Sequence, residues 1–290
     1  LIKESEDNKV NEKNVKWDKV FYGKSWINHV VDTIRTKDIL QSFYFKRYLL
    51  RAIMAGFILG VITVFVLLIK ASLDTHVPTG VINLVAAVAF SFALVLILFT
   101  NSELLTSNFM YFTVGLYYRV ISPTRVLKIF MLCFIGNALG GLVFFLILKG
   151  SDVMTVDMFT QLEATIEHKT LSSSLIAILI KGIFANFFIN ISLVIAMQID
   201  DILAKMFVMM FGVSIFAFMG YEHVVYNTVL FAGGLIYHSN VLALTPAVIN
   251  LIGAGIGNYI GGGLIIGLFY AYLNDHHQYD HKVSTKPVKH

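Results

Sequence analysis

The chain has 290 residues, 57% of them apolar and only 14% charged, and its mean hydropathy is +0.75. A soluble domain averages about 45–50% apolar and about 25% charged residues, so the shortfall of charge excludes a water-covered globule and points to an α-helical membrane protein. The net charge of +4 comes almost entirely from the two ends and so says nothing about nucleic acid, and a single cysteine, Cys133, excludes an internal disulfide framework or a Cys-rich metal site.

In chain order, residues 1–23 read as a polar, lysine-rich arm, without the apolar stretch and cleavage site of a signal peptide. Residues 24–47 place Ile27, Val30, Val31 and Ile34 at helical spacing among Lys24, Asp32, Arg35 and Lys37. That pattern fits a helix lying on the membrane surface or a short solvated helix packing on loops. Apolar runs at 48–69, 125–148, 172–197 and 243–272 each reach the roughly 20 residues that one crossing needs. Two longer segments, 81–118 and 202–237, are each interrupted by polar residues, at 101–108 and 220–227. Counted as one broken span each, they bring the total to six. The expected division is a cytoplasmic arm and interfacial helix over 1–47, a channel domain over 48–272 and a cytoplasmic tail over 273–290. Lysine and arginine crowd the side of the N-terminus, with Arg47, Arg51, Arg119, Arg125 and Lys128, while the opposite loops hold Lys70, Lys149 and Lys169. The positive-inside rule therefore predicts both termini in the cytoplasm of a multi-pass cell-membrane protein.

The six spans fall into two related halves. Glu103 and Asn108 are spaced as Glu222 and Asn227 are, 119 residues later. The next span of each half carries Gly-Asn-x-x-Gly-Gly, at Gly136-Asn137 and at Gly257-Asn258, 121 residues apart. Three spans per half is an odd number, so the halves cross in opposite senses. An inverted 3+3 repeat with its second and fifth helices interrupted, an aquaporin-like arrangement, places a site at mid-membrane.

Charges at that depth cost about 2.5–3.5 kcal/mol each on insertion scales and call for a reason. Glu103 and Glu222 sit in the helix breaks, where they either accept hydrogen bonds from orphaned loop amides or contact a solute. Lys181 lies roughly 13 Å into its span at about 1.5 Å per residue. It either snorkels, pairs with a glutamate or lends positive potential to a pore for anions. Asn186 and Asn190 share a helix face and bond neighbouring helices. His223 follows the second break, at the positive end of a half-helix, and an unperturbed histidine titrates near pH 6.5. It is the candidate for handling a proton. His238 falls at a span end and reads as solvated. The tail histidines His276, His277, His281 and His290 read as solvated too, and no metal site is expected.

At these residues the sequence resembles the formate/nitrite transporter family. Residues 102–108, Ser-Glu-Leu-Leu-Thr-Ser-Asn, are similar to its first loop motif; Lys181-Gly182-Ile183-Phe184-Ala185-Asn186 to its fourth-helix motif; Gly220-Tyr221-Glu222-His223 with Asn227 to its second loop; and 257–263 to its sixth-helix signature. Asn101 stands where the family has glycine, Leu105 and Tyr221 where it has phenylalanine, and Val224 where serine is common. The resemblance implies a pentamer with one pore per protomer, no cofactor, and no enzymatic activity. It implies His223 as the central pore histidine, Thr106 as its loop partner, and Phe90, Leu94, Leu104 and Phe216 as apolar constrictions. Glu103, Glu222, Asn108, Asn227, Asn137, Asn258 and Asn186 then support the loops. The expected cargo is a small weak-acid anion, formate first and nitrite second, moving with a proton; hydrosulfide or lactate is the alternative within the family. A water or glycerol channel would want two Asn-Pro-Ala boxes, which the sequence lacks.

Overall fold

A computed structural model describes residues 23–73 and 77–275. The arm before Gly23 and the four tail histidines lie outside the described residues. The chain forms α1 (Lys24–Phe43), α2 (Phe45–Leu73), α3 (Thr79–Phe99), α4 (Leu105–Tyr117), α5 (Pro123–Lys149), α6 (Val156–Thr170), α7 (Leu175–Ala196), α8 (Ile202–Phe218), α9 (Val224–Ile236) and α10 (Leu244–Asn258). From α10 the chain runs on through a π-helical stretch, Tyr259–Leu268, into α11 (Phe269–Leu273). Five of these columns are long and apolar enough to cross a membrane: α2, α3, α5, α7 and the continuous Leu244–Leu273. The remaining crossing is assembled from α8 and α9 on either side of the second break. Polar side chains start several helices: Ser174 Oγ accepts from Ala177 N at 3.2 Å and Asp201 Oδ1 from Ala204 N at 2.7 Å.

The packing reproduces the repeat. Helix α2 lies along α5 as α7 lies along α10, and α3 packs on α8 across the axis that relates the halves. Among the described residues four have a positive φ, and they form two repeat pairs. Asn101 (52°) matches Gly220 (65°), and Arg119 (56°) matches His238 (57°). Asparagine is among the few side chains that enter the left-handed region readily, which explains how Asn101 replaces glycine in the first loop. Gly140 and Gly261 have the same explanation as each other. A Cβ on the first would collide with the carbonyl oxygen of Ile53, and one on the second with that of Ile183. Helix backbones touch at both places, so the Gly-Asn strings mark the two tightest crossings of the bundle.

Helix α1 is built into this bundle and does not float on lipid. Trp26, Ile27, Val30 and Ile34 are buried against α2 and α4, and Trp26 meets the Tyr270 ring edge-on at 6.0 Å. Helix α6 is its counterpart, with Met158, Leu162 and Ile166 fully buried. Gly23 N–H donates to Asn274 Oδ1 at 2.8 Å. The two ends of the described chain therefore leave the same face, as an even number of crossings requires.

Candidate functional site

The two breaks are held by the same set of bonds. In the first, Leu105 N–H donates to Asn137 Oδ1 at 3.1 Å, while Asn137 Nδ2 donates to the carbonyls of Glu103 and Ala52, both at 2.8 Å. In the second, Val224 N–H donates to Asn258 Oδ1, and Asn258 Nδ2 to the carbonyls of Glu222 and Gly182, all at 2.8 Å. One asparagine side chain thus satisfies a donor and an acceptor of the broken backbone from the neighbouring span. Unpaired backbone at this depth would be costly.

The glutamates do something other than accept from loop amides. Glu103 Oε2 takes Asn108 Nδ2 at 3.2 Å and pairs with Lys37 of α1 at 2.5 Å. Glu222 Oε2 takes Asn227 Nδ2 at 2.6 Å, Asn250 Nδ2 at 3.3 Å and Lys169 of α6 at 3.0 Å. Lys181, for which pairing with a glutamate is one of three readings, is not in this set; its Nζ turns back to Ser173 Oγ at 3.2 Å. Lys37 and Lys169 were read from the sequence as surface charges, yet Glu222 is fully buried and Lys169 nearly so. Asn250, which donates to the Lys169 carbonyl at 2.9 Å, is a further member that the sequence did not single out. Cys133 is buried in the polar cluster of the first loop, with Asn108 Nδ2 3.4 Å from its sulfur.

Between the breaks lies His223. It occupies the N-cap of α9, where its Nδ1 accepts from Tyr226 N–H at 3.0 Å, and its Nε2 stands 2.8 Å from Thr106 Oγ1 on α4. Because Nδ1 accepts, this assignment puts the ring proton on Nε2, which donates to Thr106. Asn186 and Asn190 both donate to the Thr106 carbonyl, at 3.0 and 3.2 Å, and Asn186 also to that of Asn258 at 2.7 Å. So the positive ends of α4 and α9 converge on one hydrogen bond.

Two vestibules flank this centre, and neither includes His223 or Thr106 in its walls. The one on the α1 side is lined by Lys37, Arg51, Leu94 and Leu104; the one on the α6 side by Lys169, Lys181, Phe90 and Phe216. Phe216 stacks on the His223 ring at 6.0 Å, and Phe90 meets Phe216 edge-on at 5.9 Å. Tyr226, 4.9 Å from Phe90, completes that apolar ring and was not anticipated. Among the described residues no group of three His, Cys, Asp or Glu side chains is placed to hold a metal ion.

A broken-helix pair with this loop chemistry has a family counterpart: the model described as formate/nitrite transporter matches residues 25–272. The chain belongs to the formate/nitrite transporter family. Membership makes it a multi-pass membrane transporter of aquaporin-like fold, not an enzyme. A relative, the formate channel FocA of Escherichia coli (strain K12), is 28% identical over 267 residues, covering 83% of this chain and 90% of that protein. Among solved structures, an FNT family ion channel superposes with a TM-score of 0.78 at 25% identity, over 86% of this chain and 98% of that one. A pentameric formate channel with formate bound shares the fold, with a TM-score of 0.66 at 20% identity, over 79% and 96% of the two chains.

Proposed function

We propose that the protein is a channel-like transporter for small monovalent weak-acid anions, formate foremost and nitrite next, carried together with a proton. The observation behind this is the convergence of two helix N-termini on the Thr106–His223 hydrogen bond. Helix N-termini favour negative charge, and the glutamates that would repel an anion are neutralised by Lys37 and Lys169. Lys181 and Arg51, equivalent positions of the repeat, add positive charge to the two vestibules. In this reading the anion is drawn into a vestibule and takes up a proton in reach of Thr106 and His223. It then passes the constriction beyond, Leu94–Leu104 or Phe90–Phe216 according to its direction, as the neutral acid. The neutral imidazole, through its Nε2–H, orients the Thr106 hydroxyl, which passes its proton to the anion as it takes one from hydronium in the vestibule, so that neither side chain is left deprotonated. A second proton on Nδ1 would face the Tyr226 N–H and displace the helix cap.

Flux in proteoliposomes, compared for formate, nitrite, hydrosulfide, lactate and glycerol, tests this. The anions should lead, and glycerol moving faster than all of them would remove the reading. In the same assay Leu104→Ala should raise lactate flux relative to formate, because the side chain that narrows the α1-side vestibule is shortened. Unchanged size selectivity in a folded variant would place the constriction elsewhere.

The protein is further proposed to assemble as a homopentamer with one pore per protomer, the assembly of the formate channel whose fold it shares. Native mass spectrometry in mild detergent should give five copies; monomers alone would contradict it. Both chain ends are assigned to the cytoplasm, supported by Arg47, Arg119, Arg125 and Lys128 on their face of the membrane.

A further inference from the structure

The α6-side vestibule, a cavity of about 470 Å³, carries more positive charge than an anion channel of this design requires. Lys70 of α2 and Lys181 of α7, from different halves of the chain, both line it, beside His168 and Lys169 of α6. Lys169 is neutralised by Glu222. Lys181 bonds only to the Ser173 hydroxyl, and among the described residues Lys70 meets no carboxylate. The acids of α6 do not line the cavity, and Glu163 is taken up by Ser239 Oγ and Asn240 N–H at 2.9 and 3.1 Å. The charges are close enough to feel one another. His168 is pushed below the usual imidazole range by partial burial and by Lys181 and Lys169. The opposite vestibule is different, for there Lys37 and Arg51 share the walls with Asp32 and Glu103.

We propose that the α6-side vestibule is a binding site for small dianions, which lodge between Lys70 and Lys181 and block the pore rather than cross it. This rests on the anion-channel reading above. A monovalent carboxylate neutralises one of the two lysines, whereas a dianion of malonate or sulfate size neutralises both. The same dianion cannot follow the permeant route. One proton makes formate neutral, but it leaves a dianion still charged at the apolar ring of Phe90 and Phe216. A species that binds more tightly than the cargo and cannot proceed is a plug, and it acts from the α6 side alone.

Binding is read first as the rise in unfolding temperature of the detergent-solubilised protein with malonate or sulfate, at ionic strength held constant with chloride. Ligand binding to the folded state raises that temperature by mass action. Wild type should be stabilised, and Lys70→Gln and Lys181→Gln should each need about fivefold more dianion for the same rise. Arg51→Gln, in the other vestibule, should behave as wild type. Formate flux in proteoliposomes should be blocked by the same compounds in the same order, with the block relieved by excess formate. Equal stabilisation of wild type and Lys70→Gln, or equal block in both, overturns the site. A protein that binds malonate through Lys70 yet moves no formate would keep the site and discard the channel reading.

Discussion

Replacing Lys169 by methionine is expected to cost the protein a large share of its stability. The substitution keeps the length of the side chain and leaves the fully buried Glu222 carboxylate without its cation. Removing one partner of a buried ion pair destabilises by about 3–5 kcal/mol, a large share of a net stability of order 5–15 kcal/mol. For a chain of this size the unfolding midpoint should fall by roughly 10 °C. The double variant Lys169→Met/Glu222→Gln removes both charges, keeps an acceptor for Asn227 Nδ2, and should recover most of the loss. Lys149→Met, at an exposed position, is the control. A single variant as heat-stable as wild type would mean that the pair contributes nothing to holding the second loop.

Replacing His223 by asparagine should flatten the pH dependence of formate flux while leaving assembly intact. Carrying a bare anion through an apolar constriction is expensive, with an idealised Born cost of order 20 kcal/mol at ε ≈ 4. Protonating an acid of pKa about 4 at pH 7 costs roughly 4 kcal/mol, so neutral passage remains competitive even when fixed donors lower the first figure severalfold. Asparagine is a good N-cap and can keep the Tyr226 N–H satisfied, but it lacks the imidazole Nε2–H that orients Thr106 for the proton relay. Losing one hydrogen bond to a charged solute, about 1.5–3 kcal/mol, should slow formate by roughly 10- to 100-fold. The measurement is flux in liposomes from pH 5 to 8, corrected for unassisted diffusion of formic acid. Identical profiles for the two proteins would take His223 out of the mechanism and move the proton step to vestibule water near Lys181.

How much of this was legible in the sequence depends on whether an element repeats as a string. The breaks, the six crossings and the Gly-Asn pairs were legible because the identical residues recur 119 and 121 positions apart. The lysines that neutralise the loop glutamates were not. Lys37 precedes Glu103 by 66 residues, whereas Lys169 precedes Glu222 by 53, because the connections between elements differ in length. Each also sits on an amphipathic helix, where hydropathy assigns a lysine to water. Only the fold, which tucks α1 and α6 against opposite ends of the bundle, reveals them as counterparts. The sequence leaves Lys181 open among snorkelling, a glutamate pair and a pore potential, because depth in an apolar run does not say where a long flexible side chain ends; it reaches back to Ser173 and lines the α6-side vestibule. Tyr226 was missed because an aromatic at the start of an apolar helix carries no distinguishing pattern.

Leu104 and His223 occupy the same socket in the two halves, each the extended residue at the N-cap of an inward half-helix. The asparagine clamp, the lysine–glutamate pair and the left-handed turn before them are present around both sockets. Within this shared frame the two socket residues themselves diverge, leucine in one half and histidine in the other. One socket holds an apolar side chain and the other an imidazole bonded to Thr106. The asparagine clamps and lysine–glutamate pairs hold both loops without bonding to either socket side chain, so a frame of one design carries two different residues at its centre.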